Sequence, residues 1–452
     1  MPVSAGDAAL IHDVIGVGFG PSNLALAIAV AEEDLSSDDG TSALFLERQP
    51  EFGWHRGMLI DDATMQVSFL KDLVTLRNPS SSFSFLSYLH SKDRLVDFIN
   101  HKNLFPLRVE FHDYLEWAAA RLSHLVRYQT EVVSVRPVAL TDTVDGFEVT
   151  ARGPDGRTVH HRARNVVFGI GMAPKVPEGV ELGSRIWHNR DLLRSVAELG
   201  PTPPSRFVVV GAGQSAAEVT AYLHRRFPEA EVCGVFARYG YSPADDSSFA
   251  NRIFDPDAVD HFYAAPEAVK KMMLDYHGNT NYSVVDLELI QDLYRRVYQE
   301  KVLGTQRLRL FSASRLTSVV EQTDDVRVTV ESLTTGESTV LDAEIVVYAT
   351  GYRPADPGPL LGDLARHCRR DAQDRLRIER DYRLVATPEV RGGIYLQGGT
   401  EHTHGLSSSL LSNSAVRAAD ILRSIVDDRQ RVVAGSSAAA ERAYRESLLP
   451  AI

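Results

Sequence analysis

"GAGQSAAEV" at 211–219 follows the apolar run FVVV at 207–210. An apolar strand that runs into G-x-G-x-x-A and then an alanine-rich helical stretch reads as the phosphate-binding turn of a dinucleotide-binding βαβ unit. The same plan stands near the start of the chain. There "VIGVGFGPSN" at 14–23 continues a short apolar strand from His12 to Val17, and carries Gly16, Gly18 and Gly20. Pro21 holds the usual third-glycine position, and helical spacing follows to Glu32. Either two nucleotides bind, or one turn is a loop with chance glycines.

The order of elements after each turn decides between these. After the first come the loop LSSDDGTS (35–42), the strand ALFLE ending at Glu47, a set of alternating strands, and NVVFGIG at 165–171. After the second come EVCGVFAR, the alternating runs LTSVVEQ and VRVTVES, and IVVYATG at 345–351. Two units with the same order of parts make chance glycines a poor explanation. The fold class expected is α/β, with two Rossmann-like dinucleotide-binding domains and strand meanders. The second unit is interrupted over 245–303 by helical patches, APEAVKKMMLDYH and LELIQDLYRRVYQ, flanking the polar segment GNTNYS. Such an excursion reads as a substrate-shaping helical insertion or as an extra packing layer. The layout expected is 1–180 plus 345–452 for the first domain and 181–344 for the second.

The chain has 452 residues, 44% hydrophobic and 24% charged, a length that suits two or three packed domains. A formal charge of -12 gives no basic footprint for nucleic acid. The two cysteines, Cys233 and Cys368, supply neither a disulfide framework nor a dithiol pair, so a reducing, cytoplasmic setting is expected. The first apolar run enters a glycine turn and has no basic region before it, so it reads as a strand and not a signal peptide. No stretch approaches the roughly 20 apolar residues of a spanning helix, so no membrane partner is expected.

The residue at the end of each unit's second strand separates the two nucleotides. Glu47 can accept hydrogen bonds from ribose hydroxyls, which fits an adenine dinucleotide with a free 2'-OH. In the second unit the strand ends toward Arg238, with no acid; an arginine suits a 2'-phosphate. Arg238 is otherwise a solvated surface charge. Gly16, Gly18, Gly20 and Glu47 are therefore expected at FAD, and Gly211, Gly213 and Arg238 at NADPH.

The stretches MQVSFLKDLVTLRNPSSSFSFLSYLH (65–90), FPLRVEFHDYLEW (105–117), GAGQSAAE, DDSSFANRIFDP (245–256), NTNYSVVD (279–286), YATGY and QGGTEHTHGLSSSLLS (397–412) stand in one order along the chain. Together they resemble the flavin-dependent N-hydroxylating monooxygenases that act on ornithine or lysine, over about 13–424. Pro21 and the YGYSPADD approach to DDSSF depart from the commonest pattern, and the second bears on how the 2'-phosphate is held. The resemblance implies N5-hydroxylation of L-ornithine by O2 through a C4a-hydroperoxyflavin, with NADPH as reductant. The product would feed a siderophore or a related peptide, and the protein would be a homo-tetramer.

The resemblance also implies roles by motif. Lys71 would pair with the substrate carboxylate, and Asn251 and Asn281 would hold the amino-acid head group, with Ser412 also at the substrate. Otherwise Lys71 is a surface lysine and the two asparagines are turn residues. Gln66 would lie near the flavin ring and the amine, and Trp54 and His55 would line the isoalloxazine. Gln214 and Ser215 would meet the nicotinamide nucleotide, and Arg108 and Leu410 would contact the cofactors. His402 and His404 in EHTHG lack the companions of a metal site, so no metal is expected. The rivals are lysine N6-hydroxylation, a diamine such as putrescine as substrate, and a nucleotide-binding redox sensor without turnover.

Overall fold

The computed structural model describes residues 10–34, 40–140, 143–245 and 247–447. Most of the 35–42 loop and Asp246 lie outside the described residues, as does the side chain of Asn281. The chain opens with β1 (Ile11–Val17), α1 (Pro21–Asp34) and β2 (Ala43–Leu46), then α2 (Phe85–Ser91), α3 (Leu95–His101) and α4 (Arg108–Ala120). It continues with β3 (Val126–Arg127), β4 (Glu131–Leu140), β5 (Thr143–Arg152), β6 (Thr158–Phe168) and β7 (Met172–Pro174). The second unit runs β8 (Ile186–His188), α5 (Leu192–Ala197), β9 (Arg206–Val210), α6 (Gln214–Arg226) and β10 (Glu231–Val235). The insertion is α7 (Pro256–Ala264), α8 (Glu267–Asn281) and α9 (Leu287–Leu303). Then come β11 (Leu308–Phe311), β12 (Ser314–Glu321), β13 (Val326–Ser332), β14 (Ser338–Ala343), β15 (Ile345–Tyr348) and β16 (Tyr352–Pro354). The chain returns through α10 (Gly358–Leu361), β17 (Gly393–Leu396), α11 (Glu401–His404) and α12 (Ser414–Ser447).

The first sheet has the order β3-β2-β1-β6-β5-β4, with β17 also paired to β6; the second is β11-β10-β9-β15-β8. All pairings in the second sheet are parallel. β6 shows how sequence pattern follows topology. Its first half alternates between exposed and covered positions where it pairs antiparallel with β5, and its end is buried throughout where it runs parallel between β1 and β17. A strand covered on both faces reads as a continuous apolar run, and the one-sided strand alternates. α1 is buried from Asn23 to Val30, and it packs against α12.

The repeat in the sequence is a repeat in space. β6 lies parallel to β1, and β15 lies parallel to β9, so NVVFGIG and IVVYATG hold equivalent places. The Gly169 amide donates to the Val17 carbonyl, and the Ala349 amide donates to the Val210 carbonyl. Two features differ from the sequence reading. Ile345–Tyr348 is a strand of the second sheet, so the return toward the first unit comes after Tyr348 and not at 345. GNTN of the polar segment GNTNYS is the last turn of α8, closed by the Tyr282 amide on the Gly278 carbonyl at 2.8 Å.

Candidate functional site: two nucleotide turns

In each unit the glycine turn presses against the return strand. Gly18 has φ +82, and a Cβ there would lie 2.6 Å from the Gly169 carbonyl oxygen. Gly211 has φ +142, and its Cβ would lie 2.3 Å from the Ala349 oxygen. Only glycine tolerates both demands, and a turn of this kind at a helix N-terminus suits a diphosphate. Gly20 is different: no atom lies within 4 Å of a Cβ built there, so it borders open space. Pro21 opens α1, where its missing N–H is no loss and its fixed φ suits the first helical turn. That accounts for the departure at the third-glycine position.

Glu47 lies just past β2 and is 6% exposed. Its carboxylate accepts from the Phe19 amide at 2.6 Å and the Gln49 amide at 2.8 Å. The acid is thus locked against the first turn, as a ribose acceptor requires. Arg238 lies three residues beyond the end of β10 and not on the strand. It donates to the Ser283 carbonyl at 2.9 Å, which ties it to the segment between α8 and α9.

Gln214 and Ser215 open α6. Gln214 accepts from the Asp286 amide at 2.8 Å and donates to Glu218 at 3.0 Å. Glu218 also receives both terminal nitrogens of Arg108, at 2.9 and 2.7 Å, within a buried pair. Arg108 starts α4 of the first unit and also donates to the Met58 carbonyl at 2.9 Å. Arg108 therefore joins the two units, fastening the first to the helix behind the second turn.

Trp54 and His55 meet edge to face at 4.8 Å, and His55 contacts the Tyr352 ring at 5.9 Å. The Trp54 amide faces His112 Nε2 at 3.3 Å. His55 has φ 49 and is exposed, with its ring packed between Trp54 and Tyr352. Desolvation by its neighbours, with the Arg108 charge nearby, pulls its pKa down to about 4, so it is neutral near pH 7. Gln66 is exposed on the loop that leads to Lys71.

Lys71 is half-buried, with Nζ 5.9 Å from the centre of the Phe254 ring. Phe254 ends the 3-10 turn Ala250–Phe254 of the insertion, which also carries Asn251. Asn251 holds the Ser247 carbonyl through its amide side chain at 3.2 Å. The neighbouring Asp72 does not compete for Lys71. Its carboxylate turns inward onto the amides of Val74, Thr75 and Phe85. The Ala250–Phe254 turn also touches Leu406–Ser409 of the C-terminal segment. Lys71, Asn251 and the residues around Ser412 thus come from three parts of the chain to one region.

That C-terminal segment carries the signature of a missing partner. Ser412 is 1% exposed, and its hydroxyl has no hydrogen-bond partner among the described residues; the same holds for the hydroxyls of Thr400 and Ser408 and the Asn413 amide. Buried polar groups are rarely left unpaired without a ligand or water to meet them. Leu410 stands half-buried between these groups. A cavity of about 310 Å³ opens beside the ends of β6 and β17, lined by Gly171, Pro354, Gln397, Gly398, Gly399 and His402. His402 Nε2 meets the Leu376 carbonyl at 2.8 Å, and His404 stacks on Tyr382 at 4.1 Å. Both histidines are engaged within the protein. Sequence reading singled out Ser412 of the unpaired polar set but missed Glu218, Arg417, Thr400, Ser408 and Asn413. Glu218 was within reach, because it lies inside GAGQSAAE.

Two matched turns, with an acid locked to the first, define a two-nucleotide oxidoreductase of the flavoprotein kind. Comparison with known proteins gives the family. The family profile of L-lysine 6-monooxygenase/L-ornithine 5-monooxygenase matches residues 10–354, and the chain belongs to that family. An L-ornithine N(5)-monooxygenase of Burkholderia cepacia is 40% identical over 432 residues, covering 94% of this chain and 96% of that protein. The structure of an ornithine N-hydroxylase from Kutzneria sp. 744, described with reduced FAD, NADP+ and L-ornithine, is 48% identical with a TM-score of 0.89. That match covers 93% of this chain and all of the other. An L-lysine 6-monooxygenase from Pseudomonas syringae is 32% identical with a TM-score of 0.82, over 92% of this chain and 99% of that one.

Proposed function

We propose that this chain hydroxylates the side-chain amine of L-ornithine at N5, with FAD held by the first unit and NADPH by the second. The observation that carries the substrate is Lys71. Its ammonium stands beside the insertion turn, and among the described residues no carboxylate forms an ion pair with it. A free cation at this depth suits the carboxylate of an amino acid and has no use in a diamine site. The relatives named for ornithine, at 40 and 48% identity, support ornithine over lysine.

The residues present fit both nucleotides. Gly16, Gly18, Gly20 and Glu47 would hold FAD, and Gly211, Gly213, Gln214, Ser215 and Arg238 would hold NADPH. Reduced FAD supplies oxygen activation when bound, so no protein nucleophile is needed. The chain's own work is binding and orientation. Lys71, Asn251, Asn281 and Ser412 fix the amino-acid head, and Gln66 meets the amine end. Trp54 and neutral His55 add no positive charge of their own to that wall, which favours the uncharged amine over its ammonium form, whose ordinary pKa is about 10.4. Arg108 and Leu410 shape the cofactor walls.

The reading extends to N5-hydroxyornithine as a precursor of a siderophore or related peptide, a cytoplasmic setting and a homo-tetramer. The exposed stripe of Leu287, Tyr294, Tyr298 and Val302 on α9 supports self-association, which light scattering would measure. Among the described residues no helix is long and apolar enough to cross a membrane. The test is a product assay with ornithine, lysine and putrescine, scoring hydroxylamine rather than NADPH loss. Ornithine should give the highest kcat/KM for product. Equal or faster lysine hydroxylation would move the assignment to N6, and product from none of them would leave the redox sensor.

A further inference from the structure

Among the described residues Arg417 is the largest fully buried side chain, at 1% exposure. It sits on α12 beneath the start of α1. Nε donates to Gln397 Oε1 at 3.3 Å, and one terminal nitrogen donates to the Ser408 carbonyl. The other donates to the hydroxyls of Ser22 at 3.1 Å and Ser414 at 3.2 Å. Every acceptor is neutral, and among the described residues no aspartate or glutamate forms an ion pair with it. A buried guanidinium with hydrogen bonds but no counter-charge is costly even after relaxation.

Its surroundings say where the counter-charge comes from. Ser22 is the second residue of α1, directly after the glycine turn, and it is half-exposed along with Gly20 and Pro21. Gln397, on which Nε rests, also donates to the Ser22 carbonyl at 3.1 Å and Asn23 Oδ1 at 2.9 Å. Asn23 in turn clamps the Gly18 carbonyl at 2.7 Å. The cation is therefore wired to the floor of the first turn, while its far side holds Ser408 within the segment of unpaired hydroxyls. We infer that Arg417 is a positioning residue for FAD: its buried charge is compensated by the flavin nucleotide's diphosphate, across Ser22 and Gln397. This rests on the reading that the first turn takes FAD. Binding then relieves an uncompensated charge in the empty protein, so cofactor retention and fold stability are linked through one side chain.

The experiment compares wild type, Arg417→Lys and Arg417→Met. FAD affinity is read from flavin fluorescence on dilution of the holoenzyme, and melting temperature with and without FAD. Arg417→Met should weaken FAD by about 10- to 100-fold, as loss of a partly screened interior charge implies. Arg417→Lys should recover most of that. The flavin-free Met variant should melt no lower than flavin-free wild type, because the uncompensated charge is gone, while the gain in melting temperature on adding FAD should shrink. Unchanged FAD affinity in Arg417→Met would overturn the inference. So would a Lys variant no better than Met, or a flavin-free Met variant that melts well below wild type with the FAD-induced gain intact. A wild-type protein that binds no FAD would instead overturn the functional reading itself.

Discussion

Replacing Lys71 with alanine removes one ammonium from the junction of the first unit and the insertion. Nζ lies 5.9 Å from the Phe254 ring centre, and Asp72 beside it is already committed to backbone amides. The fold should lose little, because no ion pair to Lys71 is broken. The interaction removed is a charge-assisted hydrogen bond to the substrate carboxylate, worth about 1.5–3 kcal/mol, or roughly 10- to 150-fold in ornithine binding. If the interaction is equal in ground and transition states, the loss falls mainly on KM. Flavin reduction by NADPH, followed by stopped flow without amino acid, should change less than twofold (on the order of a few tenths of a kcal/mol). With the amine poorly held, hydrogen peroxide should rise relative to hydroxyornithine at fixed substrate. Putrescine lacks the carboxylate and should lose much less than ornithine. Equal losses for the two amines, or a collapsed reduction rate with unchanged ornithine KM, would refute the placement of Lys71 at the substrate.

The geometry sets three further outcomes. Glu47→Ala strips the acceptor from the Phe19 and Gln49 amides, so FAD should leak on dilution and the protein should lose about 1–3 kcal/mol of stability in urea titration; full flavin retention would show that Glu47 serves the turn alone. Gly18→Ala drives a Cβ to 2.6 Å from a backbone oxygen and should prevent normal folding or FAD loading, whereas Gly20→Ala, which meets nothing, should melt like wild type; equal melting of the two would contradict the close approach. His404 is buried against Tyr382, and desolvation lowers its pKa from 6.5 to about 4. Between those values the unfolded chain carries a proton that the folded one lacks, so stability should fall as pH drops from 6.5 toward 4. His404→Gln should flatten that slope in part, since His55 contributes in the same direction; an unchanged slope would remove His404 from the titration.

The glycine turns were legible because their constraint is local: Gly18 and Gly211 admit no side chain, and an apolar strand before each and an alanine-rich helix after each complete the pattern. The equivalence of NVVFGIG and IVVYATG followed from order alone. That the stretches of Lys71, Asn251 and Ser412 come to one region was expected only by resemblance, because nothing in their own spacing says that three distant stretches meet. Arg108 shows the limit. Its partner Glu218 lies 110 residues away, and no periodicity connects them. Nothing in the spacing around Arg417 marks it, and its burial arises only when α12 lies across α1. Polar composition misled at GNTN, where α8 continues through residues that favour a loop, because the hydrogen-bond ladder carries the helix one more turn. The change of unit at 345 was misplaced because β15 sits between the two halves in sequence while its hydrogen bonds to β9 and β8 fix it in the second sheet.

Oxygen transfer to N5 can be followed atom by atom. The purified holoenzyme is turned over with NADPH and L-ornithine under 18O2, and the amino-acid products are weighed by mass spectrometry. The expected product is N5-hydroxyornithine carrying one heavy oxygen, with none incorporated from labelled water under ordinary O2. NADPH consumption that yields hydrogen peroxide with no hydroxylated ornithine, or a hydroxyl oxygen that comes from water, would contradict the assignment.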